Sequence, residues 1–236
     1  MKHEIRALLL DVEGTTTPIA FVHEALFPFA RRHMLEFILR NFARADVRED
    51  IEGLRAECDS DRVQGHNPPE WSDEIDSSVA YSHWLMDQDR KSTALKSLQG
   101  KIWEAGYRAD HLKGEVYDDV PRALARWRDA GRTIAIFSSG SVLAQQLIFA
   151  HSNKGDLSGF IDAYFDTTTG PKKEAASYQS IANVLGFLPA ETLFCSDVVA
   201  ELDAARTAGL QTALCVRDGA APVGAEHSVI HTFDEV

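Results

Sequence analysis

The chain opens on a short, mostly apolar run, Ile-Arg-Ala-Leu-Leu-Leu at 5–10, that stops at Asp11-Val12-Glu13-Gly14-Thr15. A run of that length bounded by polar residues predicts a buried strand followed by a loop. Between about 21 and 42 the spacing changes. Phe21, Val22, Ala25, Leu26, Phe29, Leu35, Ile38 and Phe42 recur at helical intervals, and Val47, Ile51, Leu54 and Cys58 continue them. Gly65-His66-Asn67-Pro68-Pro69 breaks the pattern, which resumes at 79–86 and through Leu95, Leu98, Ile102 and Ala105. Residues 20–112 contain no strand pattern.

From 119 onward the two periods alternate. A helix opens at Asp119-Val120-Pro121, where a first-turn proline is tolerated, and ends by Gly131. Strands follow at 133–137, 161–165, 192–196, 212–216 and 229–233, with helices at 141–150, 174–185 and 199–208. Apolar strands alternating with amphipathic helices predict a parallel sheet covered on both faces. The expected fold is α/β: a doubly wound, Rossmann-like parallel-sheet core from 1–19 and 113–236, with a helical cap, 20–112, inserted after the first strand. That division explains a length of 236 residues, between one typical domain and two.

Charge narrows the partners. With 36 acidic and 24 basic residues the net charge is −12, which disfavours a nucleic-acid backbone and an anionic membrane surface. Thirteen acidic and five basic residues fall in 43–90, so most of the excess belongs to a solvated face of the insertion. Cys58, Cys195 and Cys215 are widely spaced, the N-terminus lacks the shape of a secretory signal, and no run is long enough to cross a membrane. A cytoplasmic monomer acting on a small molecule is expected.

In doubly wound sheets ligands bind at the carboxyl ends of the strands. Those ends carry Asp11 and Glu13, then Ser138-Ser139-Gly140-Ser141, then Asp166 and Gly170-Pro171-Lys172-Lys173-Glu174, then Ser196-Asp197. The sheet would bring Asp11 and Asp197 together. Two carboxylates about 4 Å apart repel by roughly 4 kcal/mol at an effective dielectric near 20, so the cluster calls for a cation. Oxygen donors with room for water and phosphate favour Mg2+. Ser138 and Ser139, at a helix start, suit phosphate oxygens, and a lysine from the 172–173 pair suits a phosphoryl group in transfer. The nine scattered histidines show no zinc spacing.

These four stretches resemble the four motifs of the haloacid dehalogenase superfamily. With Glu13 in place of the second Asp of the first motif, and with Phe-Ser-Ser-Gly-Ser-Val before Gln145, the chain is most similar to the enolase-phosphatase (acireductone synthase) branch of methionine salvage. The resemblance implies conversion of 2,3-diketo-5-methylthiopentyl-1-phosphate to an enol phosphate and then to an acireductone and phosphate, with one Mg2+ per subunit. It implies Asp11 as the nucleophile that becomes an aspartyl-phosphate and Glu13 as the acid/base. Ser138, Ser139 and Lys172 would bind the phosphate, Lys172 being preferred to Lys173 by motif spacing. Asp11, Glu13 (through its backbone carbonyl) and Asp197 would surround the metal. The base for enolisation stays open among core and cap polar groups, Glu13 included. Phe21, Phe27, Trp84 and Met86 are candidates for the methylthio end. The competing readings are a superfamily phosphatase or phosphomutase acting on another small phosphate ester, a dehalogenase, and a catalytically silent scaffold.

Overall fold

The computed structural model describes residues 4–220 and 226–236. The chain groups into two compact units, one of residues up to Val22 with Lys113–Val236, the other His23–Leu112.

The first unit is built on six parallel strands: β1 (Ala7–Leu10), β2 (Thr133–Phe137), β3 (Ala163–Phe165), β4 (Thr192–Ser196), β5 (Gln211–Cys215) and β6 (Ser228–Ile230). Their order is β3-β2-β1-β4-β5-β6. The chain runs outward from β1 to β3 and then crosses back to place β4 on the other side of β1. That is the reversal at which doubly wound sheets open a crevice. All four side chains of β1 are buried, as an apolar strand at the centre of a covered sheet requires.

A π-helical stretch (Phe21–Leu26) begins at the end of the first unit's opening segment and leads into the second unit's α1 (Phe27–Asn41), followed by α2 (Ala45–Val63), α3 (Glu74–Asp87) and α4 (Thr93–Arg108). Met34, Ile38, Ile51, Leu54, Tyr81, Leu85, Leu98 and Ile102 form the core of the second unit. Ser92 caps α4 by accepting from the Leu95 amide at 3.0 Å, and Asp73 caps α3 through the Asp76 amide at 2.8 Å. Buried Asp61 takes the Tyr81 hydroxyl at 2.7 Å and the Arg90 guanidinium at 2.7 Å. Buried Asp50 pairs with Lys101. The acidic excess read from the sequence is thus partly neutralised by internal ion pairs as well as solvated.

Four more helices flank the sheet: α5 (Val120–Asp129), α6 (Val142–Ala150), α7 (Ala175–Leu185) and α8 (Val199–Thr207). Leu9, Ala135, Phe137 and Phe194 pack with Tyr178, Ile181 and Leu202 of α7 and α8. The alternate strand positions point to the opposite face, where α5 lies against β2. Gly186 ends α7 in the left-handed conformation, φ +78°, the usual glycine stop.

The final segment departs from expectation. The strand expected over 229–233 ends at Ile230, and Phe233–Glu235 is a 3-10 turn. Glu235 accepts from the His231 and Thr232 amides at 2.7 and 2.9 Å, turning the chain so that Phe233 packs on Trp127, ring centroids 5.3 Å apart. Burying that ring outweighs extending an edge strand. Similarly β3 begins at Ala163 rather than 161, because the chain enters it from a 3-10 turn at Ser158–Phe160. Among the described residues no helix is long and apolar enough to cross a membrane.

Candidate active site at the carboxyl edge of the sheet

Asp11 leaves the end of β1 beside β4, at the reversal of strand order. Its amide donates to the Cys195 carbonyl at 3.0 Å, one further rung of the ladder. Its buried carboxylate is held on both oxygens. Oδ1 accepts from the Val12 amide at 2.7 Å and from the Lys172 ammonium at 2.7 Å, while Oδ2 accepts from the Ser196 hydroxyl at 3.1 Å. The carboxylate therefore has a single orientation.

Lys172 arrives from the loop after β3. Tyr178 of α7 donates its hydroxyl to the Lys172 carbonyl at 2.6 Å, and Ser177 donates to the Pro171 carbonyl at 2.8 Å. Gly170 has φ +147° and lies so close to Ser177 that a Cβ would collide with it. These contacts press the loop against α7 and direct Lys172 inward, where it is 7% exposed, while Lys173 faces solvent. The second partner of Lys172 is Glu201 in the first turn of α8, Oε2 at 2.6 Å. Burial works to lower the Lys172 pKa, but Asp11 and Glu201 outweigh it and hold the pKa above the usual lysine value. Burial and the neighbouring Asp11 charge push Glu201 upward, against the pull of Lys172.

Asp197 follows β4 and is half-buried. Burial first, and then the charge of Asp11, raises its pKa to about 6, with Glu13 adding to the effect and Lys172 opposing it. Gly14 sits against the Asp197 carboxylate with φ +68°, so a Cβ there would strike it. Glu13, partly exposed, bridges to Thr17 across this tight turn. Ser138 extends β2 and is buried; its amide donates to the Phe165 carbonyl at 3.2 Å and its hydroxyl accepts from the Gly140 amide at 3.1 Å. Ser139 is exposed at the same edge. Gln145 donates to the Gly140 and Phe165 carbonyls, both at 2.9 Å, and ties this serine turn to the end of β3.

Asp11, Glu13, Ser138, Ser139, Lys172 and Asp197 thus all lie at one edge of the sheet, with direct bonds drawn between Asp11 and Lys172. Sequence reasoning named Ser196 at the strand end without a role and missed Glu201; the two complete that network. Ser196 was visible only as the neighbour of Asp197. The only signal for Glu201 was an acid in a first helical turn, a position where acids are common for the helix dipole alone.

Among the described residues no group of three or more His, Cys, Asp or Glu is placed to hold a metal ion. The donors fit Mg2+ in a different way. Lys172 pairs with Asp11 and Glu201, while Asp197, its pKa raised by burial and then by the Asp11 charge, has no cationic partner of its own at this edge among the described residues. With Lys172 between Asp11 and Glu201, Asp11 and Asp197 remain as a hard oxygen pair. Mg2+ is commonly bound by one or two carboxylates, with water and phosphate completing its shell.

The sequence profile of the haloacid dehalogenase-like hydrolases matches residues 5–209. The chain is 52% identical over 234 residues to enolase-phosphatase E1 of Synechococcus elongatus, covering 98% of both chains. It belongs to the enolase-phosphatase family of these hydrolases. The homologous protein of Sorangium cellulosum is 48% identical over 232 residues, covering 98% of this chain and 97% of its own. The crystal structure of the UTR4 protein of Saccharomyces cerevisiae superposes with a TM-score of 0.80 at 30% identity, over 99% of this chain and all of that one. A phosphatase from Thermococcus onnurineus, TM-score 0.60 at 18% identity, shares the fold over 98% of this chain and 95% of its own. Membership of this family makes the chain an enzyme of the hydrolase class.

Proposed function

We propose that this enolase-phosphatase family member takes 2,3-diketo-5-methylthiopentyl-1-phosphate through an enol phosphate to an acireductone and free phosphate. The reading places it in methionine salvage. The buried Lys172 bridge between Asp11 and Glu201, where the strand order reverses, supports phosphoryl transfer, and the 52% identity to an enolase-phosphatase supports the substrate.

Asp11, with its orientation fixed by the Val12 amide, Lys172 and Ser196, attacks phosphorus. A bond forms from its carboxylate oxygen while the ester P–O bond breaks, leaving an aspartyl-phosphate. Glu13 gives a proton to the departing oxygen, then takes one from the water that attacks phosphorus and regenerates Asp11. Ser138 and Ser139 hold non-bridging phosphate oxygens, and Lys172 balances their charge. Asp11, Asp197 and the Glu13 main-chain carbonyl would hold Mg2+, which when bound supplies further neutralisation of the phosphoryl oxygens. We read His23–Leu112 as the cap domain and the protein as a cytoplasmic monomer. Three free cysteines fit a reducing compartment.

The test is a Mg2+ titration of the purified protein with the diketo phosphate, following released phosphate and acireductone absorbance together. Phosphate and acireductone should rise in step, and Asp11→Asn should abolish both. Release that survives Asp11→Asn defeats the proposal, and release without the enol stage moves the protein to another phosphate ester.

A further inference from the structure

The loop that carries Asp11 and Glu13 is gripped from a point outside the strand-end motifs. Arg217, just past β5, has a side chain only 6% exposed. Its Nε and Nη2 both donate to the Thr15 carbonyl, at 2.9 and 2.5 Å. Its Nη1 donates to Asp119 Oδ2 at 2.7 Å and to the His231 carbonyl at 3.3 Å. The guanidinium carbon lies 4.4 Å from the Tyr117 ring centroid and 4.6 Å from that of Phe233. Asp119 Oδ2 also accepts from the Phe233 amide at 2.6 Å.

A clamp that served only to fasten the C-terminal turn would need Asp119, His231 and Phe233. It would not need the Thr15 carbonyl, which receives two of the four hydrogen bonds. Thr15 lies in a turn closed on the Val12 carbonyl, which accepts from the Thr15, Thr16 and Thr17 amides at 3.3, 3.0 and 2.9 Å. The Gly14 amide donates to the Thr17 carbonyl at 2.8 Å, and the Thr16 hydroxyl donates to the Asp11 carbonyl at 3.0 Å. Within this closed turn the Thr15 carbonyl is the handle that Arg217 holds. Without Arg217 a buried carbonyl loses both its donors, and the turn must shift to find others.

We propose that Arg217 is a positioning residue for Glu13: it fixes the turn that aims the acid/base at the leaving oxygen. The inference rests on the phosphatase reading above. Phosphate binding is assigned to Ser138, Ser139 and Lys172 on other loops, so at saturating Mg2+, which the same turn would help to hold, loosening it should slow chemistry and spare substrate binding. Lysine at 217 keeps a charge for Asp119, but a single ammonium cannot reproduce the planar double donation to Thr15 while reaching Asp119.

Arg217→Lys and Arg217→Gln are assayed with the diketo phosphate and Mg2+, alongside thermal unfolding. In Arg217→Lys the expected result is kcat lower by about 10- to 100-fold, the scale of a small misplacement remote from the chemistry, with KM within about twofold and a near-wild-type melting temperature. Arg217→Gln should fall further in kcat, and Arg217→Lys carries the test alone if the Gln variant does not fold. Wild-type kcat in folded Arg217→Lys, or KM rising in proportion as kcat falls, overturns the inference. Wild-type protein that releases no phosphate overturns the functional reading, and this one with it.

Discussion

The ammonium of Lys172 lies 2.7 Å from Asp11 Oδ1 and 2.6 Å from Glu201 Oε2, with every side chain of the trio at most a tenth exposed. One buried cation thus answers two buried carboxylates, and its backbone is fixed to α7 by Tyr178 and Ser177. The nucleophile of the proposed reaction and the charge that balances the phosphoryl group are set by the same contact.

Removing that cation should cost both activity and stability. In Lys172→Met, Asp11 and Glu201 face each other without compensation. Phosphate release should fall by about 10²- to 10³-fold, as on loss of a charge-stabilising donor. Urea unfolding should show a loss of up to about 3–5 kcal/mol, reduced to the extent that Glu201 takes up a proton.

Glu201→Gln preserves a hydrogen-bonding oxygen toward Lys172 and Ser196 while removing one negative charge. Activity should drop about 10-fold, the scale of losing a group that orients a working side chain. The decisive measurement is the unfolding free energy of the double variant. Lys172→Met with Glu201→Gln should be more stable than Lys172→Met alone, because one of the two orphaned charges, and its repulsion with Asp11, is gone. Simple additivity would show that the three groups do not act as a unit.

Gly14→Ala should separate activity from stability. Its left-handed φ costs a β-carbon about 1–2 kcal/mol, and that carbon would displace the Asp197 carboxylate. Thermal unfolding should register a modest loss. The Mg2+ concentration giving half-maximal phosphate release should rise well beyond what that loss explains.

His83 gives the helical unit a pH-dependent stability. Burial, with a smaller contribution from the Arg31 charge, lowers its pKa, although its hydrogen bond with the Arg31 carbonyl pulls the other way. A histidine with a depressed folded pKa contributes stability that is complete above the unfolded value, near 6.5, and is lost as pH falls through the folded one. The stability difference between wild type and His83→Gln, measured by urea unfolding, should therefore move against the wild type between pH 7.5 and pH 5. A difference constant over that range would show that His83 has the same proton affinity folded and unfolded.

Much of this architecture is legible in one dimension because burial is periodic. The apolar run at 7–10, the helical spacing through 21–105 and the strand–helix alternation after 119 each follow from which side chains must leave water. The polar residues that stop each strand mark the functional edge for the same reason. Where the reading missed, local pattern competed with a distant contact. An extended continuation through Phe233 was reasonable until Trp127 and Asp119 offered its ring and amide better partners.

By itself the sequence determined the set of strands and helices, the insertion after β1 and the polar groups at the strand ends, all readable from periodicity and its interruptions along the chain. Motif spacing favoured Lys172 over Lys173, but tertiary structure alone supplied its buried pairing with Asp11 and Glu201, and the hold of Arg217 on the Thr15 carbonyl. The bond between Lys172 and Asp11 joins residues 161 positions apart, and that between Arg217 and Thr15 spans 202. No local pattern records which of many acids and bases a sheet order will bring together. A glutamate in a helix's first turn reads the same in solvent as against a buried lysine, and only removal from water makes its charge need a partner.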